Sequence, residues 1–182
     1  MRRAIRVSLA SLVSAGALIA SVHTFNAATR PAARPGTVDV MEVIAVYVGS
    51  IGTDSMTAVA QVLSDMSTAV RRQTASSGRG FIMRGVSIEP SVEGGIRHLS
   101  RLGTFDEVSV GGNWTNSAVV RYLGVNDGRV SDSPIPELIL LERTVRSDNT
   151  RMLQVGPERE LVRFVGLDRI NGWVARGAPI PK

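Results

Sequence analysis

The chain has no cysteine among its 182 residues. Disulfides, thiolate metal sites and thiol catalysis are therefore excluded within it. Histidine is almost as scarce, with only His23 and His98 present. A metal site would have to be rich in oxygen ligands, and a serine–histidine–carboxylate centre would have little choice of base. Aromatic residues make up 4%, too few for the stacking platforms on which single-stranded nucleic acids lie. Lys182 is the only lysine, and no basic run occurs beyond the N-terminus. Nucleic acid is thus not an expected partner.

What is present is a globular composition, 43% hydrophobic and 20% charged. The net charge is +5, but Arg2, Arg3 and Arg6 supply much of it; the remainder has 18 basic against 16 acidic residues. MRRAIR followed by the uncharged VSLASLVSAGALIASV (7–22) reads as an export segment, shorter than a full membrane span. Residues 1–28 are accordingly expected to be a signal peptide, cut near Ala27 or Ala28, or else a retained N-terminal anchor. The protein is expected to be exported, periplasmic or otherwise extracytoplasmic, and to meet a membrane only through that segment if it is uncleaved. Proline and glycine in ATRPAARPGT mark a linker, taken as 29–40. A single domain is expected over 41–176, with a short tail at 177–182.

Within the domain, MEVIAVYVG (41–49) is an apolar, β-branched run that predicts a buried strand. Met56, Val59, Ala60, Leu63, Met66 and Val70 recur at spacings of three and four and predict a helix from about Asp54 to Gln73, capped by Asp54 or Thr53. FIMRGVSI (81–88) predicts the next strand. Val92, Ile96, Leu99 and Leu102 predict a helix stripe, and His98, off that stripe, is expected at the surface. A short strand over 105–111, a helix over 113–123 begun by asparagine, and a polar loop over 124–133 follow. ELILLERTV, entered through Pro134 and Pro136, predicts a strong strand, and TRMLQVG a further one. Glu158–Val165 is readable as helix or strand from its pattern alone. A helix from Leu167 to Arg176, with Leu167, Ile170 and Val174 on one face, ends the domain. This order predicts an α/β domain with a central mixed sheet and helices on both faces.

Three features in this order resemble the thioredoxin-like fold. One is the strand–loop–helix YVGSIGTDSMTAVAQVL. Another is Ile135-Pro136 before ELILLERTV, where that family places a cis-proline facing the active-site loop. The last is ELVRFVGLDRINGWV, similar to the family's final strand, closing glycine and helix; this likeness favours strand for Glu158–Val165. The stretch from Phe105 to Ser133 would then be an insertion before the cis-proline strand. The resemblance puts Gly52-Thr53-Asp54-Ser55 where the family has C-x-x-C. Glycine has no side chain and a serine hydroxyl cannot cycle through a disulfide, so neither thiol–disulfide exchange nor peroxidase activity carries over.

The remaining constellations have plain structural readings. Glu89 and Glu93 suit a helix start. Asn126, Asp127 and Asp132 lack calcium-loop spacing. Trp114 and Trp173 are expected to be packing residues. No catalytic, metal-ligating or cofactor-binding residue is assigned. The expected function is a non-redox module that binds a protein or peptide through Ile51, Gly52, Thr53, Asp54 and Ser55, with Ile135 and Pro136 opposite. A non-redox enzyme using the same cleft, or a membrane-tethered structural protein, are the alternatives.

Overall fold

A computed structural model describes residues 38–52, 55–124, 135–147 and 153–181. The chain forms an α/β domain whose mixed sheet of six strands is flanked by four α-helices. Strand β1 (Val38–Gly49) lies at its centre. From Val43 onward it is buried on both faces, which explains its unbroken apolar run. It pairs in parallel with β2 (Gly80–Ser87), which pairs in parallel with the short edge strand β3 (Glu107–Ser109). On its other side β1 runs antiparallel to β4 (Glu137–Ser147). The far edge of β4 is shared by β6 (Arg159–Val165) and β5 (Leu153–Val155), both antiparallel to it. Strand is therefore the observed state of Glu158–Val165 apart from its first residue.

The alternation of β1 and β4 sorts their side chains into two cores. Val43, Ala45, Tyr47, Leu138 and Leu140 face helix α1 (Met56–Ser76), helix α4 (Leu167–Ala175) and the end of α2 (Val92–Leu102). Ile44, Val46, Val48, Ile139 and Leu141 face helix α3 (Ser117–Leu123), which supplies Val119, Tyr122 and Leu123. The region expected to be an insertion thus contains the helix that covers one face of the sheet. Trp173 is buried in the first core and Trp114 packs half-buried against the second.

Several boundaries differ from expectation for local reasons. Helix α1 runs to Ser76 because the hydroxyls of Thr74 and Ser76 donate to the carbonyls of Arg71 and Gln73, so the serines and threonine stay in the helix until Gly78 turns the chain. Asn113–Thr115 is a separate 3-10 turn, and Asn116 rather than Asn113 caps α3 by accepting from the Ala118 amide at 2.9 Å. Ordered structure also extends past the expected domain ends. The strand begins at Val38, and the tail is fixed by Gln73, whose amide donates to the Gly177 and Ala178 carbonyls at 3.0 Å, with Ala178 itself buried.

Helix α2 shows the largest departure. Val92 and Ile96 are each 50% exposed, and the buried side is Gly95, His98, Leu99 and Leu102. A Cβ on Gly95 would lie 2.7 Å from that of Val110, so the missing side chain lets α2 press its glycine side inward. His98, expected at the surface, is carried into the interior with it. Among the described residues no helix is long and apolar enough to cross a membrane, and residues 1–37 lie outside them.

Candidate functional site

The parallel strands β1 and β2 end side by side at Gly49 and Ser87, and the chain leaves each through a loop into a helix. In open α/β sheets this end is where ligands bind. Strand β4 starts at the same end. Its ladder with β1 closes at the pair Val48–Glu137, so Ile135 and Pro136 continue beside the β1 loop. The Ile135–Pro136 peptide bond is cis.

The expected binding residues meet different fates here. Ile51 is 42% exposed, Gly52 adopts a φ of +95° that suits glycine, and Ser55 is exposed as the residue before α1. Thr53 and Asp54 lie outside the described residues. Pro136 is buried, and its carbonyl accepts from the Gly166 amide at 2.8 Å. Ile135 is half-buried against the core under α3. The structure therefore brings both segments to one end of the sheet, displays Ile51, Gly52 and Ser55, and packs Ile135 and Pro136 into the wall beside them.

Glu89, read from sequence as a helix-start charge, ties down the displayed loop. Its Oε1 accepts from the Ser50 hydroxyl at 2.7 Å and from the Ile51 amide at 2.8 Å. These bonds, the Ile51 amide first, hold the Glu89 carboxyl below the ordinary carboxylate range, and the charge of His98 acts in the same direction. Behind Glu89 lies a buried polar chain. His98 Nδ1 is 3.0 Å from Ser87 Oγ, and Nε2 is 3.4 Å from the Tyr47 hydroxyl. Tyr47 reaches back over Gly49, where a Cβ would overlap its hydroxyl. Burial pushes the His98 pKa down.

Sequence reasoning did not single out Tyr47, Ser87, Gly49 or the Glu89 clamp. The Glu89 contact spans 38 residues and the Tyr47–His98 contact 51, so no local pattern announces either. A serine paired with a histidine is the arrangement that activates a hydroxyl. Here both side chains are fully buried, so no substrate atom reaches them, and the pair supports the loop instead. Among the described residues no three histidine, aspartate or glutamate side chains converge as a metal site requires; Asn126, Asp127 and Asp132 lie outside those residues.

Comparison with protein-family models, with curated proteins and with solved structures finds no match to this chain.

Proposed function

We propose that this domain is a thioredoxin-like fold without thiol chemistry that binds a protein or peptide through the loop after β1, and that residues 1–28 direct it out of the cytoplasm or anchor it there. The strand order β2-β1-β4-β6, with β1 and β2 parallel and the other two antiparallel, supports the fold assignment, as does the position of Pro136 beside the loop. The absence of cysteine supports a redox-silent role. The basic start and the apolar run 7–22 support export.

The observation that carries the binding role is Ile51. It is an apolar side chain held outward on a loop whose backbone is fixed by Glu89. A pre-positioned apolar anchor lowers the ordering cost of association. The test places a photo-crosslinking amino acid at Ile51 in the native host, with a control at the exposed Arg72 of α1, followed by mass spectrometry. One dominant protein adduct at Ile51, absent at Arg72, supports the reading. Silence at both positions, or the same adducts at both, overturns it. Once a partner is captured, Ile51→Asp is expected to weaken its binding by about tenfold or more, the scale of an anchor residue, with the thermal midpoint unchanged.

A further inference from the structure

About two to four turns along α1 from its start, the helix presents a second feature, which does not rest on the Ile51 surface. Ser64, Ser67, Thr68 and Arg71 share one side of the helix, as their spacing requires. Facing them is the loop Gly103-Thr104-Phe105 between α2 and β3. Between helix and loop lies a cleft of about 320 Å³, with Leu63, Met83 and Leu102 among its lining residues. That volume falls in the lower part of the range for small-molecule sites, roughly 300–1,000 Å³.

The chemistry of the lining is one-sided. Arg71 is the only charged residue that lines it among the described residues. The Arg71 guanidinium sits over the Phe81 ring, 4.9 Å from its centroid, and no carboxylate comes within ion-pair distance among the described residues. Asp106, next to Phe105, is turned onto the Met83 amide at 2.7 Å. The hydroxyls of Ser64, Ser67, Thr68 and Thr104 make no hydrogen bond among the described residues. Elsewhere on these helices, Thr74, Ser76 and Ser100 donate to carbonyls one turn back. The cleft therefore combines one oriented cation, several unengaged donors and an apolar floor.

We propose that this cleft binds a small organic monoanion, an aromatic or branched aliphatic carboxylate whose apolar body rests on Leu63, Met83 and Leu102 while its carboxylate pairs with Arg71. A guanidinium held over an aromatic ring still presents its planar fork of donors, which suits a planar carboxylate. One cation without a second beside it in the lining matches a single negative charge.

The test is an NMR titration of the ¹⁵N-labelled full-length chain with phenylacetate, its neutral counterpart 2-phenylethanol, and phenyl phosphate. Phenylacetate is expected to shift the amide resonances of Thr68, Arg71 and Thr104 saturably, and to bind about tenfold or more tightly than the alcohol. Arg71→Gln is expected to remove that advantage with an unchanged thermal midpoint, and Ser67→Leu, which fills the cleft, to abolish the shifts. The proposal is overturned by an absence of saturable shifts at millimolar phenylacetate. Equal binding of the alcohol, full affinity in both variants, or tighter binding of phenyl phosphate would also overturn it.

Discussion

His98 enters the interior with hydroxyls, not carboxylates, on its two ring nitrogens. The groups around it are Tyr47 from β1, Ser87 from β2 and, acting through space, Glu89 from the loop that follows. Burial outweighs the attraction of Glu89 and lowers the folded pKa. The unfolded chain then binds a proton near pH 6.5 while the folded chain does not, so unfolding becomes easier as pH falls from about 6.5 towards the lowered folded value. Urea unfolding across that window should show stability declining with acid in the wild type and a flatter profile in His98→Gln. An equally steep profile in the variant would remove His98 as the cause. The Glu89 contribution is separable: its carboxyl is held low in the folded state, so it stabilises above its ordinary pKa near 4.5 and is lost at more acid pH. At this scale the sequence made Ile51, Gly52 and Ser55 legible as a loop at a strand–helix junction. It left Tyr47, Ser87, Glu89 and His98 unread as a set, because their contacts join distant parts of the chain.

Strand β6 shows how one extra residue changes an element. Between the pairs Leu140–Val162 and Leu141–Glu160 the register slips, leaving Leu161 as a bulge. Strict alternation would send Glu160 and Arg163 to opposite faces; the bulge puts them on the same face, where Arg163 donates to Glu160 at 2.8 Å. Arg163 also donates to the buried Glu137 at 2.7 Å and to the Tyr122 carbonyl at 2.8 Å, tying β6 to β4 and α3. Arg163→Met keeps the stem but leaves the Glu137 charge without that donor. The expected cost is about 2 kcal/mol, below the figure for a fully enclosed pair because Arg163 is partly exposed. A urea midpoint within error of wild type would show that other partners of Glu137 suffice. The ambiguous periodicity of Glu158–Val165 in the sequence has the same origin: a bulge breaks the two-residue repeat that identifies a strand.

Both cores of the molecule hang on the same two strands. Val43, Ala45 and Tyr47 of β1 build one, and Ile44, Val46 and Val48 build the other. Loss of β1 from the sheet would remove packing from both faces at once, so the domain is expected to unfold in one cooperative step. The tryptophans report on the two faces separately, Trp173 stacked on Phe164 at 4.8 Å in the first core and Trp114 against the second. In each of the variants Trp114→Phe and Trp173→Phe, fluorescence of the remaining tryptophan should share its midpoint with far-ultraviolet circular dichroism. Midpoints that separate in either variant would mean that the faces melt independently.

Except over Glu158–Val165, the sequence by itself determined the kind and order of the strands and helices, because buried strands and amphipathic helices write their periods into neighbouring residues. It also determined that no thiol chemistry occurs in this chain, because the atoms are missing. Only the tertiary structure decided which side of α2 faces inward. Val92-Ile96-Leu99 and Gly95-His98-Leu102 are both valid helical faces, and the choice turns on how closely Gly95 can approach Val110 in another part of the fold. With that choice came the burial of His98 and its bonds to Ser87 and Tyr47 at the end of the sheet where Glu89 clamps the Ile51 loop. Contacts of this kind depend on distances between segments far apart in the chain, and those distances exist only once the sheet has assembled.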